Sequence, residues 1–204
     1  MRKLRVGVLV SGAGTLLQGI LDEADLYEVA VVLSDRPTIE GLSRAERAGV
    51  PTVVVDWAEY GKDRRPEFSA ACARALRAHD VDLACNAGFM RILTAEYFEI
   101  LGVPAMNSHP ALLPAFSGAH GVRDALAHGV KVTGTTIHFA TEDLDAGPII
   151  LQACEAVRGD DTEASLHERI KQHERRLYPE AIRLFAQGRL KMEGHRVHIL
   201  DQQA

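Results

Sequence analysis

The sequence predicts an α/β protein with an open, doubly wound and mostly parallel sheet, to which an antiparallel strand addition and a long helix are joined C-terminally. Two observations lead to this fold class. Short runs rich in Val, Ile and Leu alternate with amphipathic segments, and most of these runs lack the period-2 alternation of strands with one wet face. Such strands are buried on both faces, and short helical connections between them imply right-handed crossovers.

The N-terminal half, residues 1–106, carries the alternating elements. Strands are predicted at residues 4–10, 29–33, 52–55, 81–86 and 103–106, and helices between them at residues 15–24, 40–48, 66–79 and 95–100. In the third helix, Phe68, Cys72 and Leu76 share one stripe, which is the pattern of a helix that packs one face on a sheet. This half therefore has the organisation of a nucleotide fold.

The pattern changes after residue 131. Strands are predicted at residues 132–139 and 149–157, with only the loop 140–148 between them. A helix at 163–187 follows, and Pro179 predicts a kink or break in it because proline cannot donate the helical hydrogen bond. Residues 189–200 form a candidate hairpin. Since no linker or repeat is present, residues 1–204 are predicted to form a single domain, with 107–204 as its second half.

Composition disfavours several classes of function. The 204 residues carry a formal charge of −5, which argues against nucleic-acid binding, and no apolar run approaches the roughly 20 residues of a membrane span. Three scattered cysteines suggest neither a disulfide framework nor a zinc site. Met1 leads almost directly into a strand, so no signal peptide is expected. We expect a cytoplasmic protein that binds neither nucleic acid nor membrane, as a monomer or a homodimer.

A glycine-rich turn connects the first strand to the first helix. Gly12, Gly14 and Thr15 lie where exposed N–H groups at a helix start favour an anion. Asp35, about twenty residues on, resembles the ribose-binding acid of a dinucleotide site, but Leu17 replaces the third glycine of that fingerprint. A phosphate monoester is the favoured ligand, and a tight turn without a ligand is the alternative.

A second loop, residues 88–93, follows the fourth strand. Its apolar residues around Arg91 would suit a slot for a flat, ring-containing ligand. The pattern alone favours the simpler interpretation, in which these residues are tucked under the sheet. Arg65, at a helix start beside a second arginine, is interpreted most simply as a solvated charge.

Asn107 and His109 form the most informative pair. They are predicted to follow the fifth strand, where open α/β sheets bind ligands, and alternate residues of an extended chain share a face. An amide aimed at a carbonyl stabilises an oxyanion, and an aspartate of the acidic loop 141–148 would favour the charged imidazole. Together these groups suit acyl transfer or hydrolysis without a nucleophilic Ser or Cys.

Two other interpretations concern charged and imidazole side chains elsewhere. His120 and His138 could join His109 as metal ligands, but their spacings match no local zinc motif, so no metal is expected. Lys171 and Glu174 lie on the terminal helix, where such charges usually form a solvated face.

Several motifs, in this order, resemble those of the phosphoribosylglycinamide formyltransferases, a family of folate-dependent enzymes of purine synthesis. They are SGAG at 11–14, GFMRIL at 88–93, NSHPALLP at 107–114, GAH at 118–120, GTTIHF at 134–139, DAGPI at 145–149 and GRLK at 188–191. The resemblance covers nearly the whole chain and implies a Rossmann-like formyltransferase fold.

The resemblance also implies a reaction. The amine of phosphoribosylglycinamide would attack the formyl carbon of the co-substrate 10-formyltetrahydrofolate, and the tetrahedral oxyanion would collapse to formylglycinamide ribonucleotide and tetrahydrofolate. By similarity, Asn107 would donate to the oxyanion, His109 would act as general acid, and Asp145 would keep His109 protonated.

Two groups of binding residues follow from the same resemblance, and no metal is implied. The folate-binding residues would be Arg65, Met90, Arg91, Ile92, Leu93, Asn107, Thr141, Glu142, Asp143, Leu144 and Asp145. The ribonucleotide-binding residues would be Gly12, Gly14, Thr15, Leu16, Lys171 and Glu174. Family members often have Asn at position 16, so Leu16 would remove a side-chain hydrogen bond to phosphate and keep the backbone N–H.

Three alternative functions can be compared with this one by features of the sequence. Formyltetrahydrofolate hydrolases usually carry an N-terminal regulatory domain, whereas Met1 opens directly on the sheet. Methionyl-tRNA formyltransferases, another kind of folate formyltransferase, have a further C-terminal domain and typically Arg-Gly after the Leu-Pro segment, whereas this chain reads AFSG at 115–118 and ends at residue 204. A non-catalytic dinucleotide-binding protein would depend on the glycine turn and Asp35, and Leu17 disfavours it.

Overall fold

A computed structural model describes residues 2–201 of the chain. The chain divides into two compact units between Met106 and Asn107. The first unit contains β1 (Leu4–Val10), α1 (Thr15–Asp22), β2 (Tyr27–Ser34), α2 (Glu40–Arg47), β3 (Thr52–Val54), α3 (Arg65–Arg77), β4 (Leu83–Asn86) and α4 (Ala95–Leu101). β5 (Ala105–His109) begins in the first unit and ends in the second. The second unit contains α5 (Gly121–His128), β6 (Val132–Phe139), β7 (Ile149–Ala156), α6 (Glu163–Ala186), β8 (Leu190–Glu193) and β9 (Arg196–Ile199). The grouping of all residues into one domain stays a prediction.

The strands of the first unit confirm the predicted parallel, doubly wound arrangement. β1 pairs in parallel with β2 on one side and with β4 on the other, and β2 pairs in parallel with β3. Consecutive residues of the central strands, such as Val8, Leu9 and Val10, are fully buried. Burial of every residue rather than every second one is what a sheet covered on both faces requires.

The predicted stripe of α3 is also confirmed. Phe68, Cys72 and Leu76 are fully buried, and Pro66 lies in the first turn of the helix, where its missing N–H is not needed. Full burial of a large apolar side chain contributes about 1.5–3 kcal/mol, so the stripe outweighs the weak helix propensity of Phe and Cys.

The second unit has the predicted antiparallel addition. β6 and β7 pair antiparallel from Val132 opposite Ala156, and the register shifts between Ile137 and His138. β8 and β9 form the predicted hairpin, and β9 pairs in parallel with β7. A register shift of this kind is a β-bulge, which changes the direction of neighbouring side chains.

The elements differ from the prediction at three places. α6 is one helix from Glu163 to Ala186 with Pro179 inside it, so it does not break before Pro179, and the predicted kink stays a prediction. Tyr178 and Ile182 around the proline are fully buried, and this packing offsets the roughly 3 kcal/mol that an internal proline costs a helix. α5 was not predicted. β5 extends to His109 instead of ending at residue 106, so Asn107 and His109 lie in the strand rather than after it.

Within residues 2–201, no helix combines the length and the apolar composition that a membrane crossing needs.

Candidate active site

The chain that follows β5 is held against two strands of the second unit. Thr136 Oγ1 donates to the Ala111 carbonyl oxygen at 2.7 Å and accepts from the Leu113 N–H at 3.1 Å. Gln152 Nε2 donates to the Leu113 carbonyl oxygen at 3.0 Å. Because β6 and β7 supply these partners, they hold the backbone of the segment after His109 in place. The C-terminal end of β5 is held in place with it.

His109 is buried between two acceptors. Its Nε2 lies 2.8 Å from the carbonyl oxygen of Phe116, and its Nδ1 lies 3.3 Å from Oδ2 of Asp145. A carbonyl oxygen and an ionised carboxylate can only accept, so each ring nitrogen of His109 faces an acceptor. The geometry therefore places Asp145 where it stabilises a proton on this imidazole, as a general acid needs.

Asp145 reaches His109 because of its backbone. It adopts the left-handed conformation, with φ 55°, which is uncommon for a residue other than glycine. Its Oδ2 also accepts from the Gly118 N–H at 2.8 Å. Two residues on, a Cβ at Gly147 would lie 1.7 Å from the Phe139 carbonyl oxygen, so only glycine permits this course of the loop. The pattern DAGP thus fixes the direction of the carboxylate.

His138 fixes the orientation of the Asn107 amide. The Nδ1–H of His138 donates to the Phe139 carbonyl oxygen at 3.0 Å, which leaves Nε2 as an acceptor. Nδ2 of Asn107 lies 3.2 Å from this Nε2 and donates to it. Burial lowers the pKa of His138, so the neutral form is favoured, as the acceptor role requires. The second N–H of the amide stays available for an oxyanion.

The two imidazoles have different environments. His138 Nε2 is 3.8 Å from Oδ1 of Asp145, while the shorter contact of the carboxylate is to His109. His138 is a neutral acceptor that orients an amide donor, and His109 is the ring paired with the carboxylate. Different environments for neighbouring titratable groups are typical of acid–base sites.

Glu174 of α6 is buried beneath the same strands. Thr135 Oγ1 lies 3.4 Å from Glu174 Oε1 and 3.1 Å from the His109 carbonyl oxygen, and Ser108 hydrogen-bonds to the Glu174 carboxyl. Burial raises the pKa of Glu174 to about 7. Glu174 is therefore not part of a solvated helix face, whereas Lys171 on the same helix is half-exposed, with Nζ 3.7 Å from Glu168.

The buried carboxyl predicts a pH-dependent stability. The pKa of Glu174 is raised from its ordinary value of 4.5 to about 7 in the folded protein, so between these values only the unfolded chain releases the proton. The stabilisation present below pH 4.5 is lost as the pH rises through 7, and its size is roughly 3 kcal/mol. In urea titrations at pH 4.5 and 8, Glu174→Gln should remove this loss.

The exposed Glu168 on the same helix provides the control, because Glu168→Gln should keep the wild-type pH dependence of the free energy of unfolding above pH 4.5. If Glu174→Gln and the wild type lost the same stability between pH 4.5 and 8, the assignment of a buried neutral acid would be wrong.

In the first unit, the glycine turn is shaped for a backbone contact. Gly14 is the left-handed N-cap of α1, and Thr15 begins the helix. Gly12 is exposed, its carbonyl oxygen accepts from the Gly41 N–H at 3.0 Å, and a Cβ on Gly14 would lie 2.7 Å from Gly41 Cα. The side chain of Leu16 is buried, so only its backbone N–H remains for an anion.

The loop 88–93, also in the first unit, is partly exposed. Met90 and Ile92 are 70% and 47% exposed, so the interpretation that the loop is tucked under the sheet is wrong for them, although Leu93 is buried. Arg91 Nε lies 2.6 Å from Oδ2 of Asp35. Asp35 is fully buried and bound by Arg91, which removes the acid on which the dinucleotide alternative depended.

The remaining predicted residues are placed as follows. Arg65 begins α3 and is half-buried, and its side chain makes no ion pair or hydrogen bond with the part of the chain that the structure describes. In the second unit, residues 141–144 form an exposed loop, closed by a hydrogen bond of 3.1 Å from Thr141 Oγ1 to the Asp143 carbonyl oxygen. From residue 2 to residue 201, no group of three or more His, Cys, Asp or Glu side chains is arranged to hold a metal.

The sequence predicted Asn107, His109 and Asp145 as site residues, and the second unit places them together. The sequence did not predict the role of His138, which was considered only as a metal ligand, or the contact of the Phe116 carbonyl group. His138 could have been found from its position in the GTTIHF motif, because an imidazole in an otherwise apolar strand needs a partner. The backbone carbonyl of Phe116 has no signal in the side-chain pattern.

Comparisons with known proteins agree with this geometry. A sequence profile described as formyl transferase matches residues 4–182. A phosphoribosylglycinamide formyltransferase of Mycobacterium tuberculosis is 42% identical over 184 residues, which cover 89% of this chain and 85% of that protein. The crystal structure of glycinamide ribonucleotide transformylase 1 from Symbiobacterium toebii superposes with a TM-score of 0.93 at 51% identity, covering 98% of this chain and 95% of that one.

Longer relatives also match. The trifunctional purine biosynthetic protein adenosine-3 of Gallus gallus is 42% identical over 194 residues, which cover 93% of this chain. The chain spans only 19% of the length of that relative.

Proposed function

The chain belongs to the formyl transferase family, and on this premise we propose that it transfers the formyl group of 10-formyltetrahydrofolate to the amine of phosphoribosylglycinamide. The products are formylglycinamide ribonucleotide and tetrahydrofolate, and the reaction is a step of purine biosynthesis in the cytoplasm. The observation that carries the proposal is the convergence of an oriented amide, an imidazolium and a carboxylate in Asn107, His109 and Asp145.

These side chains supply what formyl transfer requires. The substrate amine attacks the formyl carbon, and the free N–H of Asn107 donates to the oxygen that becomes negative. His109 gives its Nε2 proton to the departing folate nitrogen, exchanging the Phe116 carbonyl contact for the substrate, and Asp145 stabilises the imidazolium until then. The proton that the attacking amine loses returns to His109 through solvent, so the cycle closes.

Substrate binding is assigned by the same family membership. In the first unit, the N–H groups at Gly12, Gly14, Thr15 and Leu16 are proposed to bind the ribonucleotide phosphate, because a helix start with unpaired N–H groups favours an anion. In the second unit, Lys171 and Glu174 keep the proposed role toward the ribonucleotide.

The folate is assigned to exposed loop residues and to one cation. The assignment comprises Arg65, Met90, Arg91, Ile92 and Leu93 in the first unit, and Asn107, Thr141, Glu142, Asp143, Leu144 and Asp145 in the second. The exposed apolar side chains of Met90 and Ile92 support contact with a flat ring. The guanidinium of Arg65, which has no ion-pair partner among residues 2–201, supports contact with a carboxylate.

One assay with three acceptors tests the proposed function. Formyl transfer from 10-formyltetrahydrofolate is measured with phosphoribosylglycinamide, with methionyl-tRNA and with water alone. We expect turnover with phosphoribosylglycinamide and little with the other two. Faster release of formate in water would make the protein a formyltetrahydrofolate hydrolase, and formylation of methionyl-tRNA would identify a different transferase. Tight NAD(H) binding without folate binding would favour the non-catalytic alternative.

Asp145→Asn should shift the pH–rate profile. The asparagine can keep an acceptor oxygen toward Gly118 N–H and His109 Nδ1, but it removes the negative charge that stabilises the imidazolium. A general acid without its anionic partner is less stable in its acid form, so the alkaline fall of kcat should move to lower pH. Asp160→Asn, at an exposed position of the same unit, is the matched control and should leave the profile in place. An unmoved profile in Asp145→Asn would contradict the role of Asp145.

A further inference from the structure

The loop 88–93 of the first unit alternates in burial. Phe89, Arg91 and Leu93 point into the unit, while Met90 and Ile92 are exposed. Alternation is the property of an extended chain, in which successive side chains point to opposite sides. Exposed methionine and isoleucine side chains are held in place only if the intervening residues are anchored.

Arg91 is the strongest anchor. Its Nε lies 2.6 Å from Oδ2 of the fully buried Asp35, and its guanidinium lies 4.8 Å from the ring centroid of Trp57. Arg36 is a second cation near Asp35, but it is farther away, at 3.8 Å, and exposed. Within the described residues 2–201, Oδ1 of Asp35 has no hydrogen-bond partner, so this buried carboxylate depends mainly on Arg91. A buried charge-assisted hydrogen bond of this length is strong and directional.

Other contacts fix the residues on either side of Arg91. The Phe89 ring stacks on Phe68 of α3, with centroids 6.3 Å apart and planes within 5°. The hydroxyl oxygen of Ser11 accepts from the Met90 N–H at 2.8 Å, and the Ser11 N–H donates to the Gly88 carbonyl oxygen at 3.2 Å. The loop is therefore attached both to the α3 layer and to the residue that opens the glycine turn.

From these contacts we propose that Asp35 and Arg91 are positioning residues for 10-formyltetrahydrofolate, which hold the loop 88–93 so that Met90 and Ile92 are ordered before the folate binds. The side chain of Arg91 is turned to Asp35 and Trp57, so it acts through the loop and leaves only its backbone groups for the ligand. This inference rests on the proposed function, since it assigns the loop to the folate.

The physical reason is preorganisation. When a loop becomes ordered only on binding, each side chain that is immobilised loses conformational entropy, and this loss weakens binding. Two apolar side chains, Met90 and Ile92, would be immobilised here. When the ion pair has already ordered them, the folate binds without that cost. The ribonucleotide should be affected less, because the Arg91 side chain contacts Asp35 and Trp57 and none of the residues assigned to the ribonucleotide.

The test combines kinetics with fluorescence. Trp57 is the single tryptophan of the chain, and it contacts Arg91, so its emission reports on the ion pair directly. In Asp35→Asn we expect a change of Trp57 emission, an increase of the KM for 10-formyltetrahydrofolate by about 10-fold, and a kcat near that of the wild type. The KM for phosphoribosylglycinamide should stay within about twofold.

Two further variants keep the test interpretable. Arg91→Lys retains a charge for the buried Asp35 and therefore preserves the fold, but it loses the planar guanidinium, so the KM for the folate should again increase. Asp63→Asn removes an exposed carboxylate in the same unit and should change neither KM nor emission. Circular dichroism and urea titration confirm that each variant is folded.

The outcomes separate cleanly. An unchanged KM for the folate in Asp35→Asn and Arg91→Lys, with Trp57 emission altered, would overturn the proposal, and so would equal increases of KM for both substrates. If the wild type does not formylate phosphoribosylglycinamide, the proposed function fails. The dissociation constant of tetrahydrofolate, from fluorescence titration, then decides the positioning role: an increase in both variants supports it, and no increase overturns it.

Discussion

His109→Ala is expected to lower kcat by roughly 10²–10⁴ while the folate still binds. His109 is the proton source in the proposed reaction, and His138, the neighbouring imidazole, is no equivalent, because it donates from Nδ1 to the Phe139 carbonyl group and burial favours its neutral form. Loss of His109 therefore removes the acid without a substitute.

The experiment measures kcat by single-turnover kinetics and the folate dissociation constant by titration. His195→Ala, which removes an exposed imidazole in the C-terminal hairpin, serves as the control and should turn over like the wild type. Wild-type turnover in His109→Ala would remove His109 from the mechanism. A loss of folate binding in a folded variant would make it a binding residue.

Asn107→Ala is expected to lower kcat by about 10²–10³, the usual effect of removing one oxyanion donor. The amide is held by His138 so that one N–H remains for the substrate, and alanine removes both the donor and its orientation. Because the donor acts on charge that develops in the transition state, KM should change little.

Gln172→Ala removes an exposed amide from α6 and is the matched control for this prediction. Steady-state kinetics with each substrate varied in turn provide the measurement. A defect confined to KM would mark Asn107 as a residue that binds the ground state, and the oxyanion role would then be wrong.

Much of the first unit was predictable because its strands are marked by composition. Runs such as residues 6–10 are apolar throughout, and only burial on both faces explains them. The end of β5 was missed because it lacks this composition. Asn107, Ser108 and His109 have low strand propensity, and hydrogen bonds from other elements keep them extended. α5 was missed because it begins at Gly121 without a capping side chain, so the sequence gives it no start signal.

The candidate site was predictable only in part. From the residues alone, the aspartates of the loop 141–148, Asp143 and Asp145, were open as partners for His109, and only the family resemblance selected Asp145. The structure supplies the physical reason, since Asp145 alone combines a left-handed backbone with a neighbouring Gly147 that must lack a side chain. Neither backbone handedness nor the tautomer of His138 can be read from residue type.

The bulge between Ile137 and His138 limits which changes the chain can accept during evolution. Substitutions on the outer surface of β6 and β7 alter single contacts. An insertion or deletion of one residue at the bulge instead makes the side chains that follow point to the opposite face of the ribbon that β6 and β7 form. Such a length change would turn His138 away from Asn107 and leave the amide free to rotate. Relatives that keep the chemistry should therefore vary in composition along this ribbon while conserving the number of residues in it.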